Sequence, residues 1–104
     1  MLRVFIHYFL HFVFPWFIAR KIAPNQHFKI YIFLILTNLV DLDHLLADPI
    51  FDPNRCSIGF HPLHSTTAII FYFLLLLFPN FYIRVISTGL ILHMLTDTLD
   101  CLWI

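Results

Sequence analysis

His7 and His11 stand one helical turn apart, and His93 and Asp97 repeat the same i, i+4 spacing. At that spacing two side chains share one helix face and can meet one target. Asp41 and His44 are three residues apart, as are His61 and His64. Asn38 stands three residues before Asp41, Gly89 four before His93, and Asp100 three after Asp97. On an ideal α-helix Asp43 points away from Asp41. It joins the others only if the helix loosens there; otherwise it orients a ligand. Imidazole nitrogen and carboxylate oxygen together suit zinc, iron and manganese. Inward carboxylate and His pairs build di-metal sites in helical bundles this way. The candidate ligands are His7, His11, Asp41, Asp43, His44, His61, His64, His93 and Asp97. They suffice for one or two divalent ions, with zinc preferred over iron or manganese.

These residues stand out against the rest of the chain. Of 104 residues, 61% are hydrophobic and only 12% charged, against about 25% charged in an ordinary soluble domain. Disorder needs the opposite composition. The formal net charge is zero with His neutral, so no basic field exists to hold nucleic acid. All six acidic residues are Asp, and there are seven His. Polarity this scarce, spent on Asp and His, points to chemistry. Ionisable groups in an apolar helix usually serve function.

Four helices must position them. No segment alternates apolar and polar residues, so strands are not expected. Breaks in the apolar pattern set helices at 2–19, from 27 or 28 to 47, from 62 or 64 to 78, and at 81–103, with one long loop at 48–61. A membrane-spanning helix needs about 20 apolar residues. The uninterrupted runs are shorter, and each reaches full length only by including its polar end. The expected architecture is all-α: a single domain over 1–104, an integral membrane bundle of four antiparallel helices. Arg20, Lys21 and Lys29 weigh for a cytoplasmic helix 1–2 loop. Both termini and the long loop then lie outside, and all four helices carry their Asp and His to that same end.

Other residues receive plainer readings. Arg55, the cation nearest the cluster, could steady developing negative charge or merely solvate the loop. Ser65 is read first as a helix cap. Asp48 and Asp52, before prolines, shape turns. His27, Trp16 and Trp103 are interfacial. Cys56 could ligate metal, pair with Cys101 in an oxidising compartment, or do neither, and the last is the preferred reading.

The ordered set of an N-terminal His, Asp41-Leu42-Asp43-His44, His64-Ser65 and His93-x3-Asp97 resembles the metal-dependent hydrolases of bacterial inner membranes, above all their short members. The resemblance covers nearly the whole chain. It implies a helical membrane protein whose Asp and His bind divalent metal and hydrolyse a substrate. Larger members carry H-R-x-x-T-H-S where this chain has His61-Pro62-Leu63-His64-Ser65. The Arg is absent and the first His is displaced, so His64 and Ser65 match more closely than His61. The order is also similar, more loosely, to zinc-dependent phospholipase C. The expected function is hydrolysis of a phosphoester, or secondly a carboxylic ester, of a lipid-like substrate at the bilayer surface. Asp43 would act as general base or orienting group, and Arg55 as electrostatic stabiliser. The expected place is the bacterial inner membrane, multi-pass, with the site on the periplasmic side. Membrane lipid is the expected partner, and a homo-oligomer is possible. A metal-ion or proton transporter, or a structural metal protein, is the alternative.

Overall fold

The computed structural model describes residues 2–47 and 55–102. Asp48, Asp52 and Trp103 lie outside the described residues. The chain forms four helical stretches, with no strand among the described residues. The first comprises α1 (Leu2–Tyr8), a π-helical turn (Phe9–Val13) and α2 (Phe14–Ile22). The second comprises α3 (His27–Leu36) and a 3₁₀ segment (Thr37–Leu46). The third is α4 (Thr66–Leu74), closed by a 3₁₀ turn at Leu75–Leu77, and the fourth is α5 (Phe81–Cys101).

The interruptions correct the expected four-span bundle. Three of the four stretches are broken into α-helices of ten residues or fewer. Only α5 is long, at 21 residues, and it carries Arg84, His93, Asp97 and Asp100. Among the described residues no helix is long and apolar enough to cross a membrane. The multi-pass placement in a bacterial inner membrane, with a periplasmic site, loses its basis with the spans.

Local chemistry explains the helix starts. Asn80 Oδ1 accepts from Tyr82 and Ile83 N–H and so caps α5. Ser65 Oγ accepts from Ala68 N–H and caps α4. Cys56 and Cys101, expected to stay apart, form a disulfide with Cα atoms 5.0 Å apart. The bond fastens the loop ahead of His61 to the end of α5. Gly59, at φ +82°, turns that loop, and its N–H donates to the carbonyl of His64.

Two small apolar clusters hold the stretches together. Ala19, Ile30, Leu34 and Val85 join α2, α3 and α5. Tyr72, Leu90 and Met94 join α4 to α5. Among the described residues, nine polar or charged side chains are buried beside a core of seven hydrophobic ones. The apolar excess faces outward instead, as at Phe5, Phe17, Phe28, Phe71 and Leu77.

Gly89 sets how closely α5 approaches the 3₁₀ segment. A Cβ there would stand 2.7 Å from Thr37 Oγ1 and 2.8 Å from Thr37 Cγ2. Ala is the better helix former by about 1 kcal/mol, but overpacking costs about 1–3 kcal/mol. The buried Thr37 hydroxyl, held on the Leu34 carbonyl, has little room to yield. Gly89→Ala is therefore expected to lower stability by up to about 2 kcal/mol in urea unfolding.

Candidate metal centre

The polar interior gathers around four inward-turned atoms. His64 Nε2 lies 2.9 Å from Asp97 Oδ2 and 3.4 Å from Asp41 Oδ1. His93 Nε2 lies 3.0 Å from Asp41 Oδ1 and 3.2 Å from Asp97 Oδ2. The two Nε2 atoms are 3.3 Å apart. These are five of the six edges of a tetrahedron. Ligands about 2.0–2.1 Å from a tetrahedral zinc ion stand about 3.3–3.4 Å from one another. The observed edges fit that cage with little adjustment.

The outer nitrogens decide which atoms face inward. His64 Nδ1–H donates to Asp43 Oδ2 at 3.0 Å, and His93 Nδ1–H donates to Asn38 Oδ1 at 2.9 Å. With both Nδ1 atoms protonated, the neutral rings carry their lone pairs on Nε2. Two imidazole lone pairs and two carboxylates then converge, which only protons or a metal cation can reconcile. Carboxylate or carbonyl groups behind His ligands are the common support in metal sites.

The 3₁₀ segment makes this possible. At three residues per turn, Asn38, Asp41 and His44 fall in one line. Asp43, two residues past Asp41, is turned about 120° from it, against about 160° on an α-helix. Asp41 therefore faces the centre while Asp43 reaches behind it to His64. Asp43 Oδ2 also accepts from Leu63 N–H, and its Oδ1 lies 3.1 Å from His44 Nδ1. Both oxygens are engaged, so the geometry gives Asp43 a positioning task.

Asn38 is held in turn. Its Nδ2 donates to the His11 carbonyl at 3.2 Å. Pro15, four residues on, has no N–H to offer that carbonyl. Asn38, Pro15 and the Leu63 N–H were not among the candidate residues. Asn38 was visible in the sequence as the member of the three-residue series ahead of Asp41 and His44. Pro15 was visible as a proline inside an apolar run, and nothing in the sequence signals Leu63.

The remaining candidates lie around this cage. One donor atom each from His7, His11 and Asp97 forms a second group within 4.8 Å, and Asp43, His44 and His61 form a third. In the third, the His44 and His61 rings stack at 3.8 Å. Arg55 lies over the Phe60 ring, which packs edge-on against His61, two rings out from the cage. His27 stacks edge-on with Trp16, outside all three groups.

Electrostatics follow from burial and pairing. Burial opposes a charge on His64 and His93. Their pairing with Asp41 and Asp97, and that of His64 with Asp43, outweighs it and raises them to about 10 and about 9. Burial likewise opposes charge on Asp41 and Asp97, yet the two histidines hold both carboxyls well below their ordinary range. Burial, then His93 and His7, push His11 down to about 4. Burial and the neighbouring His44 lower His61.

The whole chain, residues 1–104, matches the family of unknown function DUF6122. The chain belongs to that family. No curated protein and no solved structure matches it. The DUF6122 description assigns no activity, so the resemblance to metal-dependent hydrolases draws no support from it.

Two outcomes are expected for this DUF6122 chain. Asp43→Asn and Asn38→Leu should each weaken zinc binding about 10–100-fold in competition with a chromophoric chelator, because each frees an imidazole to turn. The ion must also displace protons that His64 and His93 hold at neutral pH. Apparent affinity should therefore climb as pH rises, levelling once it passes about 10, the higher of the two values. Calorimetry in buffers of different ionisation enthalpy should record proton release on binding.

Proposed function

We propose that this DUF6122 protein is a divalent-metal-dependent hydrolase acting on a phosphoester, or secondly a carboxylic ester, of a lipid-like substrate. The carrying observation is the convergence of Asp41, His64, His93 and Asp97 at tetrahedral spacing, with both imidazoles locked from behind. Zinc fits the donor set best, and iron or manganese also suit it. An ion held there would polarise a phosphoryl or carbonyl oxygen and activate a water once the exposed Asp41 edge gives up a position to them.

The protein's own groups divide the remaining work. His64, His93 and Asp97 are sealed from solvent, whereas the Asp41 side chain is 41% exposed. Substrate would enter on the Asp41 side. His44 stands at that edge, its Nδ1 3.7 Å from Asp41 Oδ1. With Nδ1–H given to Asp43 Oδ1, its lone pair lies on Nε2, beside Ser57 Oγ, and from there it would take the proton from the attacking water. The lipid-like substrate class rests on the apolar surface of the segment that carries Asp41. Leu42, Leu45 and Leu46 are exposed on the same segment. An apolar groove of about 270 Å³, lined by Phe33, Leu36, Leu39, Val40, Ile86 and Leu90, begins at the residue before Asp41. It would seat an acyl chain.

A closed structural site is the second reading, favoured by the count of four protein donors. The two part on a single experiment. Zinc-loaded protein is offered acyl-chain phosphoesters and carboxylic esters, beside His44→Gln and His93→Gln. Hydrolysis is expected in the parent, with turnover abolished in His93→Gln and reduced about 10²-fold or more in His44→Gln, which keeps its zinc. Zinc retention with no turnover, and unfolding when zinc is stripped, would favour the structural reading.

A further inference from the structure

Asp97 turns its two oxygens to different histidine pairs. Oδ2 faces His64 and His93, whereas Oδ1 lies 3.9 Å from His11 Nε2. His7 and His11, one turn apart across the junction of α1 and the π turn, stack with ring centroids 4.3 Å apart. The His11 ring also lies 4.4 Å from that of His93, so the two groups adjoin. His11 Nδ1–H donates to the His7 carbonyl at 3.0 Å, which leaves the His11 lone pair on Nε2.

That Nε2 is buried and has no hydrogen-bond partner, and the same is true of His7 Nδ1. His11 as a whole is 5% exposed. Buried polar atoms are nearly always paired, so two orphans on neighbouring rings call for a partner between them. The Asp43, His44 and His61 group differs, because both Asp43 oxygens are already engaged.

We propose that His7, His11 and Asp97 bind a second divalent cation, with Asp97 bridging it to the ion held by Asp41, His64 and His93. This rests on the metal reading of that first group. Two nitrogens and one carboxylate suit zinc, iron or manganese and leave coordination positions open. A carboxylate offering one oxygen to each ion fits the spacing of about 3.5–4 Å usual in two-metal sites. The π turn serves this arrangement, since single π turns within helices often mark functional sites.

The test is metal stoichiometry on the full chain. Parent, His11→Gln, His7→Phe and Asp41→Asn proteins are stripped, loaded with Mn²⁺ and dialysed, then measured by elemental mass spectrometry and electron paramagnetic resonance. His7→Phe keeps the ring stack, so it guards against a His11→Gln protein that fails to fold, and helical circular dichroism checks both. The expected result is two equivalents in the parent with an exchange-coupled signal. His11→Gln and His7→Phe should each hold one equivalent with a mononuclear signal. One equivalent in the parent, unchanged by either substitution but lost in Asp41→Asn, would overturn the second ion and leave the first site standing. No bound metal in the parent would overturn both.

Discussion

Everything at the centre depends on where two imidazole protons point. Asp43 and Asn38 each take an N–H from behind a ring, and that choice turns two nitrogen lone pairs onto two carboxylates. Left to themselves, four such groups would repel. The fold keeps them together by supplying them from three elements: Asp41 from the 3₁₀ segment, His64 from the loop ahead of α4, and His93 and Asp97 from α5. Asp43 ties the segment to the loop through Leu63 and His64. Asn38 ties it to the first helical stretch through the His11 carbonyl. Removing one support releases a ring and also loosens the contact between two elements.

Much of this was legible. The four helical stretches follow from the breaks in the apolar pattern, and the one-turn spacings place His7 with His11 and His93 with Asp97. What misled was backbone regularity. Reading each stretch as one continuous helix gave four potential spans. A proline four residues after His11 and a ten-residue 3₁₀ segment divide two of them instead. Runs of 3₁₀ longer than three or four residues are uncommon, so no local rule would choose one. The same segment removes the difficulty over Asp43, because its tighter winding places two adjacent faces of one element on two sides of His64. The Cys56–Cys101 bond was one alternative the sequence could not choose, since 45 residues separate the partners and their approach depends on the whole fold.

The molecule also reverses the usual placement of polar and apolar groups. Among the described residues, Asp and His are largely withdrawn from solvent, and many Phe and Leu are displayed. A composition of 61% hydrophobic residues leaves little polar surface, and what polarity exists is spent inside. Burying these ionisable groups costs free energy unless each finds a partner. The small apolar clusters offer modest compensation. An ion bound only by the folded chain would add stability by mass action, so folding and metal loading would be linked.

The disulfide carries a consequence for assembly in time. Cys101 follows every Asp and His of the three groups in the chain, and its partner Cys56 lies just ahead of His61. The loop can be locked only after α5 has been synthesised and packed, so closure is a late step in maturation. It also needs an oxidising compartment, because such bonds are rarely kept where thiols are held reduced. A chain made under reducing conditions would retain every candidate ligand yet leave the loop beside them untethered, at an entropic cost of about 4 kcal/mol for a loop of this length. The redox history of a preparation, as much as its metal content, would then govern whether the centre is formed.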